Sequence, residues 1–108
     1  MKLWIDDLRA PPDDSWTWAK DSVQARNRVT QAIIGLFALQ EVSFDHDLGG
    51  NDNGVIVADL IEDAAFVGKL PRIKWFVHSA NPPGRDRIRA AMESADRYWD
   101  AQEVASDS

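Results

Sequence analysis

The sequence predicts an α/β domain built on an open, mostly parallel sheet. Three observations carry that reading. Short, apolar, β-prone segments alternate along the chain with segments of helical period, the order of a parallel sheet with crossover helices. The run Trp75-Phe76-Val77 is apolar without alternation, which suits a central strand covered on both faces. The chain has 108 residues, the size of one ordinary domain, with neither an internal repeat nor an interior linker to divide it.

Taken in order, Lys2 to Ile5 is short, apolar and β-prone, and it runs into Asp6-Asp7. The segment Leu8 to Ser15, "LRAPPDDS", holds two prolines and no periodicity, so it reads as a loop. Trp16 to Lys20 reads as a short edge strand with Trp16 and Trp18 on one face. A helix is expected from Ser22 to Phe37. Asp21 with Gln24 resembles a capping box, and Val29, Ala32, Ile33, Leu36 and Phe37 fall on one apolar face.

The next strand is Val42 to Asp45. A second helix should cover Val55 to Val67, with Val57, Leu60, Ile61 and Ala64 inward and Gly68 with Pro71 as its stop. Arg72 to Ser79 holds the third principal strand. Asn81-Pro82-Pro83 opens a third helix with Ile88, Ala91, Met92 and Ala95 inward. Arg97 to Trp99 could add a last short strand. Residues 1–101 then form one domain, and 102–108 read as a flexible acidic tail.

Twelve basic against eighteen acidic residues give a net charge of −6. That balance argues against an extended nucleic-acid surface or an anionic membrane as partner, though not against a small basic pocket for one phosphate. With no cysteine, disulfides and thiolate zinc sites are excluded. Neither a membrane-length apolar run nor a signal-peptide pattern is present, so a cytoplasmic protein is expected.

The polar residues concentrate at three strand ends. Asp6-Asp7 follow the first, with Arg9 nearby. Asp45-His46-Asp47, within "SFDHDLGG", follow the second. His78-Ser79 follow the third, with Asn81 beyond. Ligands of open parallel sheets bind outside the carboxyl ends of the strands, so these groups should share one crevice. Carboxylates crowded there repel one another and call for a cation; hard oxygen ligands favour Mg²⁺ or a similar ion. The histidines titrate near neutrality and suit proton transfer. Ser79 and Asn81 could orient a phosphoryl oxygen, and Arg9, Arg85 and Arg87 could hold its charge.

Each group also has a purely structural reading. Asp6-Asp7 can end a strand and pair with Arg9. Asp47 and Asn53 can serve a turn or a helix cap. Gly49, Gly50 and Gly54 read as turn geometry, His78 as a core histidine, and "RDRIR" as a solvated helix face.

Together, "WIDDLRAPP", "SFDHDLGG", the "NG" before the second helix and "VHSANPPGRDRI" resemble the cyclic-phosphate processing receiver domain, a divergent branch of the response-regulator receivers. The resemblance runs from Leu3 to Met92. It implies a flavodoxin-like, three-layer α/β sandwich with the usual first helix replaced by a loop and short strand. It further implies that Asp6, Asp7 and Asp45 hold Mg²⁺ and that Ser79 helps bind a phosphoryl group. His46 and His78 would add hydrolysis of a cyclic phosphate, such as a 2′,3′-cyclic phosphate at an RNA end. The lysine that ordinary receivers carry after a fifth strand has no convincing counterpart here.

The leading expectation is a metal-dependent phosphoesterase. Asp6, Asp7 and Asp45 bind the cation, and His46 and His78 carry protons. Asp47 orients His46 or supports the metal, and Ser79, Asn81, Arg85 and Arg9 position the phosphate. A second expectation is a non-catalytic module that binds a phosphorylated ligand or a partner protein. A third is an acidic protein that sequesters a basic partner.

Overall fold

A computed structural model describes residues 1–107 of the chain. The elements run β1 (Lys2–Ile5), β2 (Trp16–Ala19), α1 (Ser22–Ile33), β3 (Glu41–Phe44), α2 (Val55–Phe66), β4 (Lys74–Val77) and α3 (Pro82–Asp107). The four strands form one parallel sheet in the order β2-β1-β3-β4. This is the alternating α/β architecture expected of a receiver-like fold. Among the described residues, no helix is long and apolar enough to cross a membrane.

Strand alternation sends side chains to opposite faces. Leu3, Ile5, Val42 and Phe44 are fully buried on one face, beneath helices that pack α1 on α2 and α2 on α3. Register aligns Trp4, Ser43 and Phe76 on the other. There the loop between β1 and β2 takes the place of a helix. It is tied down where Trp4 Nε1 donates to the Arg9 carbonyl at 2.8 Å and Lys2 Nζ to Ser15 Oγ at 3.1 Å.

Helix boundaries follow local chemistry. Asp21 Oδ1 accepts the Gln24 N–H at 2.8 Å, while Gln24 Oε1 accepts from Lys20 N, one residue upstream of a strict capping box. The first helix stops at Ile33, short of the expected Phe37. Gly35, at φ +85°, makes the left-handed turn, with Gly35 N donating to Ala32 O and Leu36 N to Gln31 O. Leu36 consequently points to solvent instead of extending the inward stripe. Gly68 closes α2 in the same way, as expected.

Two expectations about strands, Arg97 to Trp99 as a last strand and the Trp75-Phe76-Val77 run as a central one, are overturned together. The β-prone Arg97 to Trp99 is not a strand but lies within α3, which continues to Asp107 through the start of the expected tail; Ser108 lies outside the described residues. The inward stripe Ile88, Ala91, Met92, Ala95 extends at helical spacing to Trp99, whose Nε1 donates to Leu70 O at 2.8 Å. Arg72 anchors the outer side, meeting Asp100 at 2.5 Å and Glu103 at 2.8 Å. With no fifth strand beside it among the described residues, β4 is an edge strand, not a central one, and Phe76 is 44% exposed.

Candidate active site

Because the strands are parallel and in register, Asp6, Asp45 and His78 each follow the last residues of adjacent strands. All three keep the side-chain parity of the Trp4–Ser43–Phe76 face. One ligand atom from each lies within 4.8 Å of the others, close enough to hold a single metal ion. Asp7 is not a member of that group; its Oδ2 lies beside the Gly49 turn, 3.5 Å from where a Cβ on that glycine would stand.

Asp6 is 1% exposed and fully hydrogen-bonded. Its Oδ1 accepts the backbone N–H of Leu8 at 2.9 Å and of Arg9 at 2.8 Å, and its Oδ2 meets Arg9 Nε at 3.2 Å and His78 Nε2 at 3.1 Å. Burial alone would raise the Asp6 pKa, but the backbone donors of Arg9 and Leu8, aided by His78, bring it below the ordinary carboxylate value. Asp45 goes the other way. Burial and the neighbouring Asp6 charge raise it, against a hydrogen bond from its own neighbour's N–H, that of His46.

His78 is fixed on three sides. Its ring stacks on Trp4 with centroids 4.0 Å apart and planes 3° from parallel. Nδ1 lies 2.7 Å from Ser43 Oγ, and Nε2 reaches Asp6. For the neutral ring, the carboxylate on Nε2 sets the tautomer: Nε2–H donates to Asp6, and Nδ1 then accepts from the Ser43 hydroxyl. Burial lowers the pKa of His78; Asp6 pulls it upward, and burial prevails.

His46 occupies a second arm of the site. Nδ1 donates to Asp47 Oδ1 at 2.9 Å, and Nε2 has no partner among the described residues. The ring lies against α3 at Gly84, where a Cβ would come within 2.2 Å of the His46 Cγ. Gly54 is needed for a different reason than turn geometry. Its φ is an ordinary −74°, but a Cβ there would meet the Asp45 carbonyl oxygen at 2.2 Å. Gly49 and Gly50, at φ +91° and +55°, do serve the turn.

The family model of the cyclic-phosphate processing receiver domain matches residues 1–94. The chain belongs to that family. No curated protein and no solved structure matches it.

The remaining site residues of this receiver domain are tied to the same loops. Asn81 stands before α3, its Oδ1 accepting the Gly84 N–H at 3.1 Å and its Nδ2 donating to Asp47 Oδ2 at 3.4 Å. Ser79, 6% exposed, accepts the Asn81 N–H at 3.1 Å. Arg9 straps β1 to β4 by donating from a terminal nitrogen to the His78 carbonyl at 3.2 Å. Arg85 donates its backbone N–H to Asn81 O, while its buried Nε has no hydrogen-bond partner among the described residues.

Two participants escaped sequence reasoning, Ser43 and Gly84. Ser43 gave no signal, because a serine inside a strand acquires meaning only from the strand beside it. Gly84 gave a weak one: a glycine in the first turn of a helix is costly unless something must come close.

Proposed function

We propose that this receiver domain is a divalent-metal-dependent phosphoesterase that opens cyclic phosphates, the 2′,3′-cyclic phosphate of an RNA end or nucleotide being the representative substrate. The observation that carries the reading is the convergence of Asp6, Asp45 and His78 on one point, beside a histidine oriented by Asp47. Family membership supports the phosphate chemistry.

The donor set fits a divalent ion: two carboxylates, one of them with its pKa raised by burial and by repulsion from the other, and an imidazole. Such an ion, when bound, would polarise a phosphoryl oxygen and lower the pKa of a water. The chain's own groups do the rest. His46, with Nδ1–H committed to Asp47, offers Nε2 to take a proton from the attacking water and return one to the leaving oxygen. His78 has both ring nitrogens engaged, so its part passes from proton carrier to ligand. The unpartnered Nε–H of Arg85 is a donor in search of an anion, and phosphate is our reading of that anion. Asn81 and Ser79 hold the loop that presents it.

A second reading is a domain that binds a cyclic or monoester phosphate without turning it over. The closed hydrogen bonding of His78 favours it. The two are separated by incubating the protein with nucleoside 2′,3′- and 3′,5′-cyclic phosphates, with divalent cation and with chelator. Turnover that the chelator removes supports the enzyme. Calorimetric binding without turnover supports the second reading, and neither would exclude both.

A further inference from the structure

The metal group contains an imidazole where an all-oxygen set was expected. Mg²⁺ demands oxygen ligands and releases water reluctantly, whereas imidazole suits Zn²⁺ and other transition ions, which also bind nitrogen–oxygen sites more tightly as a class. The donor atoms therefore say something about the ion.

So does their spacing. Two ligands on one ion at about 2.1 Å each stand roughly 3 Å apart. His78 Nε2 and Asp6 Oδ2 are 3.1 Å apart, joined now by a proton. An ion can stand in that proton's place with little movement of either residue. Three of the four carboxylate hydrogen bonds on Asp6 come from Leu8 and Arg9 and would stay, holding the carboxylate where it is.

The exchange has one requirement. Once Nε2 gives its lone pair to an ion, the neutral ring must carry its proton on Nδ1. That proton needs an acceptor, in a buried place where an unpaired N–H is costly. Ser43 Oγ lies 2.7 Å from Nδ1, is 3% exposed, and is one of the few side-chain groups that both donates and accepts. A second hydrogen-bond partner on the far nitrogen is also what orients metal-binding histidines in general.

We propose that the Asp6–Asp45–His78 group takes a nitrogen-accepting divalent transition ion of the Zn²⁺ class in preference to Mg²⁺, and that Ser43 enables this by reversing its hydrogen bond to His78. Without the ion, the hydroxyl donates to Nδ1 and Nε2–H donates to Asp6. With the ion, Nδ1–H donates to the hydroxyl and Nε2 is a ligand. The ring stays neutral in both forms: one proton leaves Nε2 to solvent and one arrives at Nδ1 from solvent, while the Ser43 hydroxyl keeps its own proton and turns it away from the ring. Ser43 is a positioning residue here, acting through His78. The inference deepens the metal-dependent reading above, but its test involves no substrate, so the two can fail separately.

The experiment is long-range ¹H–¹⁵N NMR of the His78 ring in the metal-free protein and after adding Zn²⁺ or Mg²⁺, with calorimetry of the same titrations. The expected result is an Nε2–H tautomer that converts to Nδ1–H with Zn²⁺ and is unmoved by Mg²⁺ at equal concentration. Ser43→Ala should weaken Zn²⁺ binding about 10–100-fold, and Ser43→Thr, which keeps the hydroxyl, should restore it. Thermal melts of both variants check that each is folded; if Ser43→Ala is not, the Thr variant and the wild-type tautomer decide. An Nδ1–H tautomer in the metal-free protein, equal affinity for Mg²⁺ and Zn²⁺, or full Zn²⁺ affinity in folded Ser43→Ala would overturn the proposal.

Discussion

Gly84 and His46 are in contact so close that no side chain can stand between them: a Cβ on Gly84 would lie 2.2 Å from Cγ of the imidazole and 2.6 Å from Nδ1. The first turn of α3 is thus the wall against which the His46–Asp47 pair is set. Gly84→Ala should keep the fold, since alanine favours a helix over glycine by up to about 1 kcal/mol. It should displace the ring and lower kcat by about 100-fold, close to the loss in His46→Ala. Circular dichroism with steady-state kinetics checks both halves, and an active Gly84→Ala enzyme would remove His46 from the chemistry.

At Gly54 the obstacle is backbone, the Asp45 carbonyl oxygen at 2.2 Å, and backbone yields less readily than a ring. Gly54→Ala should therefore destabilise the protein by about 2–3 kcal/mol, in the upper part of the range for single substitutions. Urea denaturation measures it. A midpoint equal to the wild type would mean that the close approach of α2 to the β3 end is not a structural requirement.

Asp45 illustrates a site that stores repulsion. Burial and the Asp6 charge both raise its pKa, so its ionised form is disfavoured in the folded state. Asp45→Asn should stabilise the metal-free protein by on the order of 1 kcal/mol while abolishing cation binding. Differential scanning calorimetry and a metal titration read the two effects. A variant that is less stable than the wild type would show that the carboxylate is held more by hydrogen bonding than it is opposed by Asp6.

Acid sensitivity should begin at His78. Burial lowers its folded-state pKa below the ordinary histidine value of 6.5, so the unfolded chain takes up the proton first. The stability it contributes is complete above 6.5 and is lost as pH falls from there through the folded value. Asp6, also lowered in the folded state, adds a second loss only as pH falls below 3.8. Denaturation midpoints at neutral pH and near pH 5.5 should differ in the wild type and differ less in His78→Gln. Equal pH dependence in the two proteins would assign the effect to another group.

Much of the site was legible because a parallel sheet converts sequence into position. Residues that follow strands β1, β3 and β4 must emerge side by side, so "IDD", "FDHD" and "VHS" were enough to bring Asp6, Asp45 and His78 together. The same logic could not tell Asp6 from Asp7, because the choice between neighbouring carboxylates depends on how the chain turns after Ile5. Asp6 is taken inward by the N–H groups of Leu8 and Arg9. Ser43 was invisible for the reason that it works across strands.

The missing fifth strand was legible in part. Arg97, Tyr98 and Trp99 favour β structure locally, yet the stripe from Ile88 to Ala95 reaches Trp99 at helical spacing, and Asp96, Asp100 and Glu103 fall on the side that Arg72 meets. Tertiary anchoring outweighed local preference. The end of α1 failed in the opposite sense: the apolar Leu36 and Phe37 suggested continuation, and the single Gly35 ended it.

The most direct measurement is ³¹P NMR of adenosine 2′,3′-cyclic phosphate with the protein, first stripped by chelator and then reloaded with divalent cation. The account predicts that the cyclic phosphate resonance persists in the stripped sample and gives way to a monoester resonance after reloading, with Asp45→Asn inert in both. A cyclic phosphate left intact by the reloaded wild-type protein would contradict it, as would ring opening at the same rate in the stripped sample.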